Sequence, residues 1–154
     1  MKRQHPSPRP PKSHLTYKQR CIIEALLKEG ASFRYIAESI GKSPSTVSRE
    51  IRKHTVIYKS NRNDCINRPM CDRHRVCGST ICRKMCHNCN KCKNFCPDYK
   101  QAACEFLTDS NFLCNSCNKQ KYCQYSKRLY HAETAQRAYR ETLVGMRDGF
   151  DLSL

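Results

Sequence analysis

The chain has 154 residues, of which 38% are hydrophobic, a figure that includes 13 cysteines, and it contains no tryptophan. An aliphatic core would be thin, and small domains of this kind need a metal, disulfides or a partner to stay folded. The 29 Lys and Arg against 13 Asp and Glu leave a formal net charge of +16, which attracts polyanions, nucleic acid first and an anionic membrane surface second.

With twelve cysteines as metal-bound thiolates, about −12 of charge and about +6 from three divalent ions would leave roughly +10, still basic. No segment approaches the ~18–20 apolar residues of a membrane span. The N-terminus lacks the apolar stretch of a signal peptide. A cytoplasmic location without membrane contact is expected, where thiols stay reduced. The odd cysteine count points the same way, to metal ligands over disulfides.

Residues 1–12 carry Pro6, Pro8, Pro10 and Pro11 among Lys2, Arg3, Arg9 and Lys12. They read as a disordered basic arm, either a solvated tail or one that touches phosphate or a groove.

Residues 13–56 read as a three-helix helix-turn-helix domain. Thr16 and Gln19 form a capping box at the first helix. Ile22, Ile23, Leu26 and Leu27 make its apolar stripe, and Gly30 follows its end. Ser32 starts the second helix, with Phe33, Ile36, Ala37 and Ile40 on one face. Ala37 is small enough for a close crossing, and Gly41 allows a tight turn. Ser43 is the expected N-cap of the third helix, with Pro44 in its first position.

The third helix is expected to turn Pro44, Val47 and Ile51 inward and to present Ser45, Thr46, Ser48, Arg49, Arg52 and Lys53. Short polar residues near the N-terminus and cations further along suit a major-groove reader. Arg49 is the candidate for a bidentate guanine contact. Ser43, Ser45 and Thr46 are candidate donors to phosphate or bases. Lys42, Arg52, Lys53 and His54 are candidate phosphate contacts. Glu50 reads as a salt-bridge partner and Cys21 as a core thiol. The plainer alternative is a three-helix bundle with a solvated basic face.

Residues 57–64 read as a linker. Residues 65–125 form an irregular cysteine-rich segment with twelve ligand-type residues: Cys65, Cys71, Cys77, Cys82, Cys86, Cys89, Cys92, Cys96, Cys104, Cys114, Cys117 and Cys123. Twelve thiolates suffice for about three tetrahedral zinc sites, and Cys86-x2-Cys89 and Cys114-x2-Cys117 have the spacing zinc favours. Metal binding would then supply folding free energy that the segment's polar loops lack. His74 and His87 could each replace one thiol but read more simply as surface histidines.

A competing signal is Cys86-x2-Cys89-x2-Cys92-x3-Cys96-Pro97, the spacing of a bacterial iron–sulfur run. The missing second run and the basic Lys- and Asn-rich surroundings favour zinc. Residues 126–148 read as an amphipathic helix, with Leu129, Ala132, Ala135, Tyr139, Leu143 and Met146 at helical spacing, suited to packing on a neighbour or to self-association. Residues 149–154 read as a tail. The fold class is mainly α.

The run Leu15-Thr16, Gln19-Arg20, Ile23-Glu24, Leu27 and Gly30 resembles the N-terminus of the insertion-sequence-thirty family of bacterial transposases. So does Ile36-Ala37 followed by Ile40-Gly41-Lys42-Ser43-Pro44-Ser45-Thr46-Val47-Ser48-Arg49-Glu50-Ile51. The cysteine segment from Asn63-Asp64-Cys65 to Cys117 and the helix from Tyr130 to Arg147, with Gly149 beyond, extend the resemblance over nearly the whole chain.

The resemblance implies double-stranded DNA as partner, at the terminal inverted repeats of an insertion sequence, and a bacterial cytoplasmic location on the nucleoid. Complete members continue into a carboxylate-triad nuclease domain, which this chain is expected to lack. Asp64, Asp72, Asp98, Asp109, Glu133 and Glu141 read as surface charges, so the chain alone is expected not to be an enzyme. The alternatives are a stand-alone zinc- or redox-responsive transcription regulator, or an iron–sulfur protein. RNA binding ranks low, because few aromatic residues sit where bases could stack.

Overall fold

Thr16 begins the first helix in the expected way. Its Oγ1 accepts from the Gln19 amide at 3.2 Å, and Gln19 Oε1 accepts from the Thr16 amide at 3.0 Å. The computed structural model describes residues 14–148, so the predicted arm at 1–12 and tail at 149–154 lie outside the described residues. The capping box opens helix α1, Tyr17–Lys28. Ser32 caps α2, Phe33–Ile40, through the Tyr35 amide. Ser43 caps α3, Pro44–His54, through the Thr46 amide.

Glycines stop the first two helices. Gly30 follows α1 at φ +76° and Gly41 follows α2 at φ +66°. Both take the left-handed conformation in which a Cβ is costly. Ile23, Ile36, Ala37 and Val47 are fully buried where the three helices meet. Burying each large aliphatic side chain contributes about 1.5–3 kcal/mol.

The chain does not leave this bundle at a linker. Val56–Tyr58 forms strand β1, which pairs antiparallel with β2, Lys127–Leu129, in the register Val56↔Leu129, Ile57↔Arg128 and Tyr58↔Lys127. Residues 127–129, predicted as the start of a long helix, are therefore extended. Periodicity could not reveal this, because the strand is three residues long and exists only through its pairing with β1. The terminal helix α4 runs Ala132–Asp148 and packs against α1.

The core consequently draws on both ends of the chain. Tyr130 and Ala135 are fully buried in one cluster with Ile23, Ile36, Val47 and Ile51. Leu113, from the cysteine-rich segment, joins the same cluster. Residues 59–126 thus form an excursion between two paired strands. The excursion is made of turns and short 3-10 segments, including Cys86–Asn88, Asn90–Asn94 and Cys114–Ser116. Apart from Leu113, its buried hydrophobic residues are Cys86, Cys92 and Cys114. Met70, Ile81, Phe95, Phe106 and Tyr122 are all exposed. No helix among the described residues is long and apolar enough to cross a membrane.

Candidate nucleic-acid interface

The third helix is held from behind by a buried ionic cluster. Arg20 of α1 is 1% exposed. Its Nε and Nη2 donate to the two carboxylate oxygens of Glu50 at 2.6 and 3.2 Å. Its Nη1 donates to the Leu15 carbonyl and to Gln136 Oε1 of α4 at 2.9 and 2.7 Å. The Tyr139 ring lies beneath the guanidinium at 4.7 Å. A buried charge is tolerable only when paired and hydrogen-bonded on this scale.

Tyr130 donates its hydroxyl to Glu50 Oε1 at 3.1 Å. Burial and the Glu50 charge push the Tyr130 hydroxyl well above its ordinary range, so it stays a donor. Glu50 is therefore a structural acid, as its sequence context suggested. A second clamp joins α1 to α4: Glu24 Oε2 accepts from the Ala132 amide at 2.8 Å. Burial opposes the Glu24 charge, but the Ala132 amide, Lys28 and His131 outweigh it and hold the carboxyl below its usual pKa.

The opposite face of α3 is open. Ser45, Arg49, Arg52 and Lys53 are exposed, and Thr46, Ser48 and the preceding Lys42 are half-buried. Ser43 is exposed, but its hydroxyl is engaged: it caps Thr46 and lies 2.9 Å from both Ser45 Oγ and Thr46 Oγ1. A cationic, hydroxyl-bearing helix face has the chemistry to meet base edges and phosphates.

Four expectations change. His54 is buried at 6% exposure, against Glu50, so it supports α3 from behind and cannot reach phosphate. Burial lowers its pKa, with Arg20 and Lys53 adding to that and Glu50 opposing it. Pro44 is exposed; at the first helical position it faces solvent while Val47 and Ile51 alone carry the inward stripe. Cys21 is exposed and is no core thiol. Asp64 is 5% exposed and accepts hydrogen bonds from Tyr99 and Gln101, which makes it a tie between two turns. Asp72, Asp98, Asp109, Glu133 and Glu141 are exposed.

The cysteines gather around cavities. Cys65, Cys71, Cys86, Cys92 and Cys96 line one, Cys77, Cys82 and Cys89 a second, and Cys104, Cys117 and Cys123 a third. As placed, no three His, Cys, Asp or Glu side chains among the described residues converge tightly enough to hold a metal ion. His74 is exposed. His87 Nδ1 lies 2.9 Å from the Cys71 carbonyl, a backbone tie.

Asn63 figured in the sequence only as part of the family resemblance, with no role assigned. It is buried, and its Nδ2 donates to the Cys86 carbonyl at 2.9 Å and to Cys92 Sγ at 3.1 Å. Its Oδ1 accepts from the Cys65 amide at 2.9 Å. One side chain thereby organises three cysteines.

Residues 12–54 match the family described as a helix-turn-helix domain. The N-terminal part of this chain is thus a helix-turn-helix domain, a class of domain that binds DNA. An uncharacterized 14.4 kDa protein in the laf 3′ region of Lactobacillus acidophilus is 46% identical over 69 residues, 34% of this chain and 56% of that protein. The match therefore spans little more than half the length of that curated relative. No solved structure matches the chain.

Proposed function

We propose that the protein binds double-stranded DNA sequence-specifically, through α3, as the DNA-recognising part of a bacterial transposase acting at the terminal inverted repeats of an insertion sequence. The observation that carries the reading is the two-sidedness of α3. Glu50, Ile51 and His54 anchor one side, while Ser45, Arg49, Arg52 and Lys53 are exposed on the other. The helix-turn-helix match and the resemblance in the loop and recognition helix support it.

Arg49 is assigned base contact and Lys42, Arg52 and Lys53 phosphate contact. In this reading the chain recognises DNA and does not cut it. Strand cleavage belongs to the nuclease domain that the resemblance implies for complete members. The cysteine-rich excursion is a spacer stapled by about three zinc ions.

The test is selection of binding sites from a random duplex pool, followed by fluorescence anisotropy at two salt concentrations. Recovery of an inverted-repeat sequence bound ~10³-fold or more over scrambled duplex at physiological salt is the expected result. Equal binding of all duplexes with a steep salt dependence would reduce α3 to a cationic surface.

A stand-alone regulator responsive to zinc or redox state is the second reading. It draws on the packing of Leu113 into the helix-turn-helix core, which joins the cysteine segment to the reading domain. Recovery of a promoter sequence unrelated to any element end would favour it.

A further inference from the structure

We propose that the turn at residues 109–112, within the cysteine-rich excursion, is a second DNA contact. Its Ser110 and Asn111 side chains donate to the phosphodiester backbone beside the groove that α3 enters. This rests on the DNA reading above and adds to it a contact outside the helix-turn-helix.

Ser110 and Asn111 are exposed. They line one cleft with Arg52 of α3, Thr55, Ile57 of β1 and Arg128 of β2. Ser45, Arg49 and Arg52 share one side of α3 at helical spacing, so Arg52 carries the open face into the last turn of the helix. A helix that reads base edges near its N-terminus meets the flanking backbone further along. The 109–112 turn lies at that further end.

The turn is fixed relative to α3. Only Thr55 separates α3 from β1, and Ile57 of β1 stands opposite Arg128 of β2. The Arg128 guanidinium donates to the carbonyls of Leu107, Asp109 and Phe112 at 3.1, 2.7 and 3.2 Å. The Phe112 amide donates to the Asp109 carbonyl at 3.2 Å. Leu113, the next residue, is buried in the helical core. A turn held in this way meets a duplex without the cost of ordering a loop on binding.

The chemistry is that of a phosphate contact. Hydroxyl and carboxamide side chains are donors of the kind that hold phosphate oxygens. The three acceptors of the Arg128 guanidinium are neutral carbonyls, which leave its positive charge uncancelled. Arg52 and Lys53 add two exposed cations on the α3 side. Asp109, the single acid of the turn, has Oδ1 engaged by the Asn111 amide at 2.8 Å.

The test uses the full chain and the duplex recovered by site selection, with binding followed by fluorescence anisotropy at several salt concentrations. The variants are Asn111→Asp, Asn111→Lys and Asn118→Asp. Asn118 is also exposed in the excursion but lines a different cleft, so Asn118→Asp makes the same change of net charge elsewhere. Asn111→Asp should weaken binding about fivefold or more relative to Asn118→Asp, the scale of two unit charges ~4 Å apart in water. Asn111→Lys should tighten binding and steepen the salt slope by about 1. Neither should change the preferred sequence, because a phosphate contact carries no base information. Replacing the duplex phosphates one at a time by uncharged methylphosphonates should find a position that weakens the wild-type chain but not Asn111→Asp.

Asn111→Asp binding as tightly as Asn118→Asp, or an altered sequence profile in either Asn111 variant, would overturn the proposal. Circular dichroism checks that each variant keeps the helical melt of the wild type. If Asn111→Asp does not fold, Ser110→Asp takes its place against the same control. Sequence-specific binding by the wild-type chain with no difference between the two aspartate variants sinks the turn and leaves the DNA reading standing. A wild-type chain that prefers no duplex sinks the DNA reading, and the turn falls with it because α3 then enters no defined groove.

Discussion

The Tyr130 hydroxyl donates to Glu50 Oε1 at 3.1 Å across a sequence separation of 80 residues. The contact ties the segment before α4 to the middle of the recognition helix, on the side turned away from its open face. Removing the hydroxyl with Tyr130→Phe should cost about 1 kcal/mol, the net worth of one hydrogen bond. Glu50→Ala should cost about 3–5 kcal/mol, because it strands the buried Arg20 charge. Urea unfolding of the two variants measures both. Equal small losses would mean that Arg20 finds solvent or another partner.

Arg49 and Lys42 should fail in different ways. Arg49→Ala is expected to cost about 1–3 kcal/mol of binding and to relax preference at one base pair. Lys42→Ala should weaken all duplexes alike and reduce the salt slope by about 1. Binding isotherms on single-substitution duplexes at several salt concentrations separate the two. An unchanged sequence profile in Arg49→Ala would remove it from the reading set.

His54 predicts a pH dependence of stability. Burial lowers its folded pKa, so the unfolded chain takes up the proton first as pH falls. The stability that neutral His54 contributes is whole above about pH 6.5, its unfolded value, and drains as pH drops below it. Melting temperatures at pH 7.5 and 5.5 should differ more in the wild-type chain than in His54→Gln. The same difference in both would exclude His54 as the source.

Two glycines should respond with opposite signs. At Gly41 a Cβ meets nothing within 4 Å, but φ is +66°, so Gly41→Ala should destabilise by about 1–2 kcal/mol through backbone strain alone. At Gly145, inside α4, a Cβ also meets nothing. There Gly145→Ala should stabilise by about 0.5–1 kcal/mol. Thermal melts of both variants check this, and a loss at Gly145 would mean that α4 makes contacts in solution beyond those described.

The sequence by itself determined the helix-turn-helix. Its signals are local: Thr16 with Gln19, Ser32, Ser43 with Pro44, and glycines at 30 and 41 act within one helical turn of where they stand. Caps, stops and apolar stripes of that kind need no distant partner to be read. The open face of α3 followed from the same periodicity, whereas Glu50 reads as a salt-bridge partner without the partner being legible.

Only the tertiary structure decided how the two ends of the chain meet. The β1–β2 pairing, the Glu24 clamp on Ala132 and the Arg20–Glu50–Tyr130 cluster join residues 30 to 108 positions apart, and no local pattern encodes such separations. His54 and Asp64 looked like surface charges because hydrophobicity alone places them outside; specific partners paid for their burial. The same holds for the cysteines: their spacing raises the expectation of metal ligands, while their grouping around three cavities came only with long-range ties such as those from Asn63 to Cys86 and Cys92.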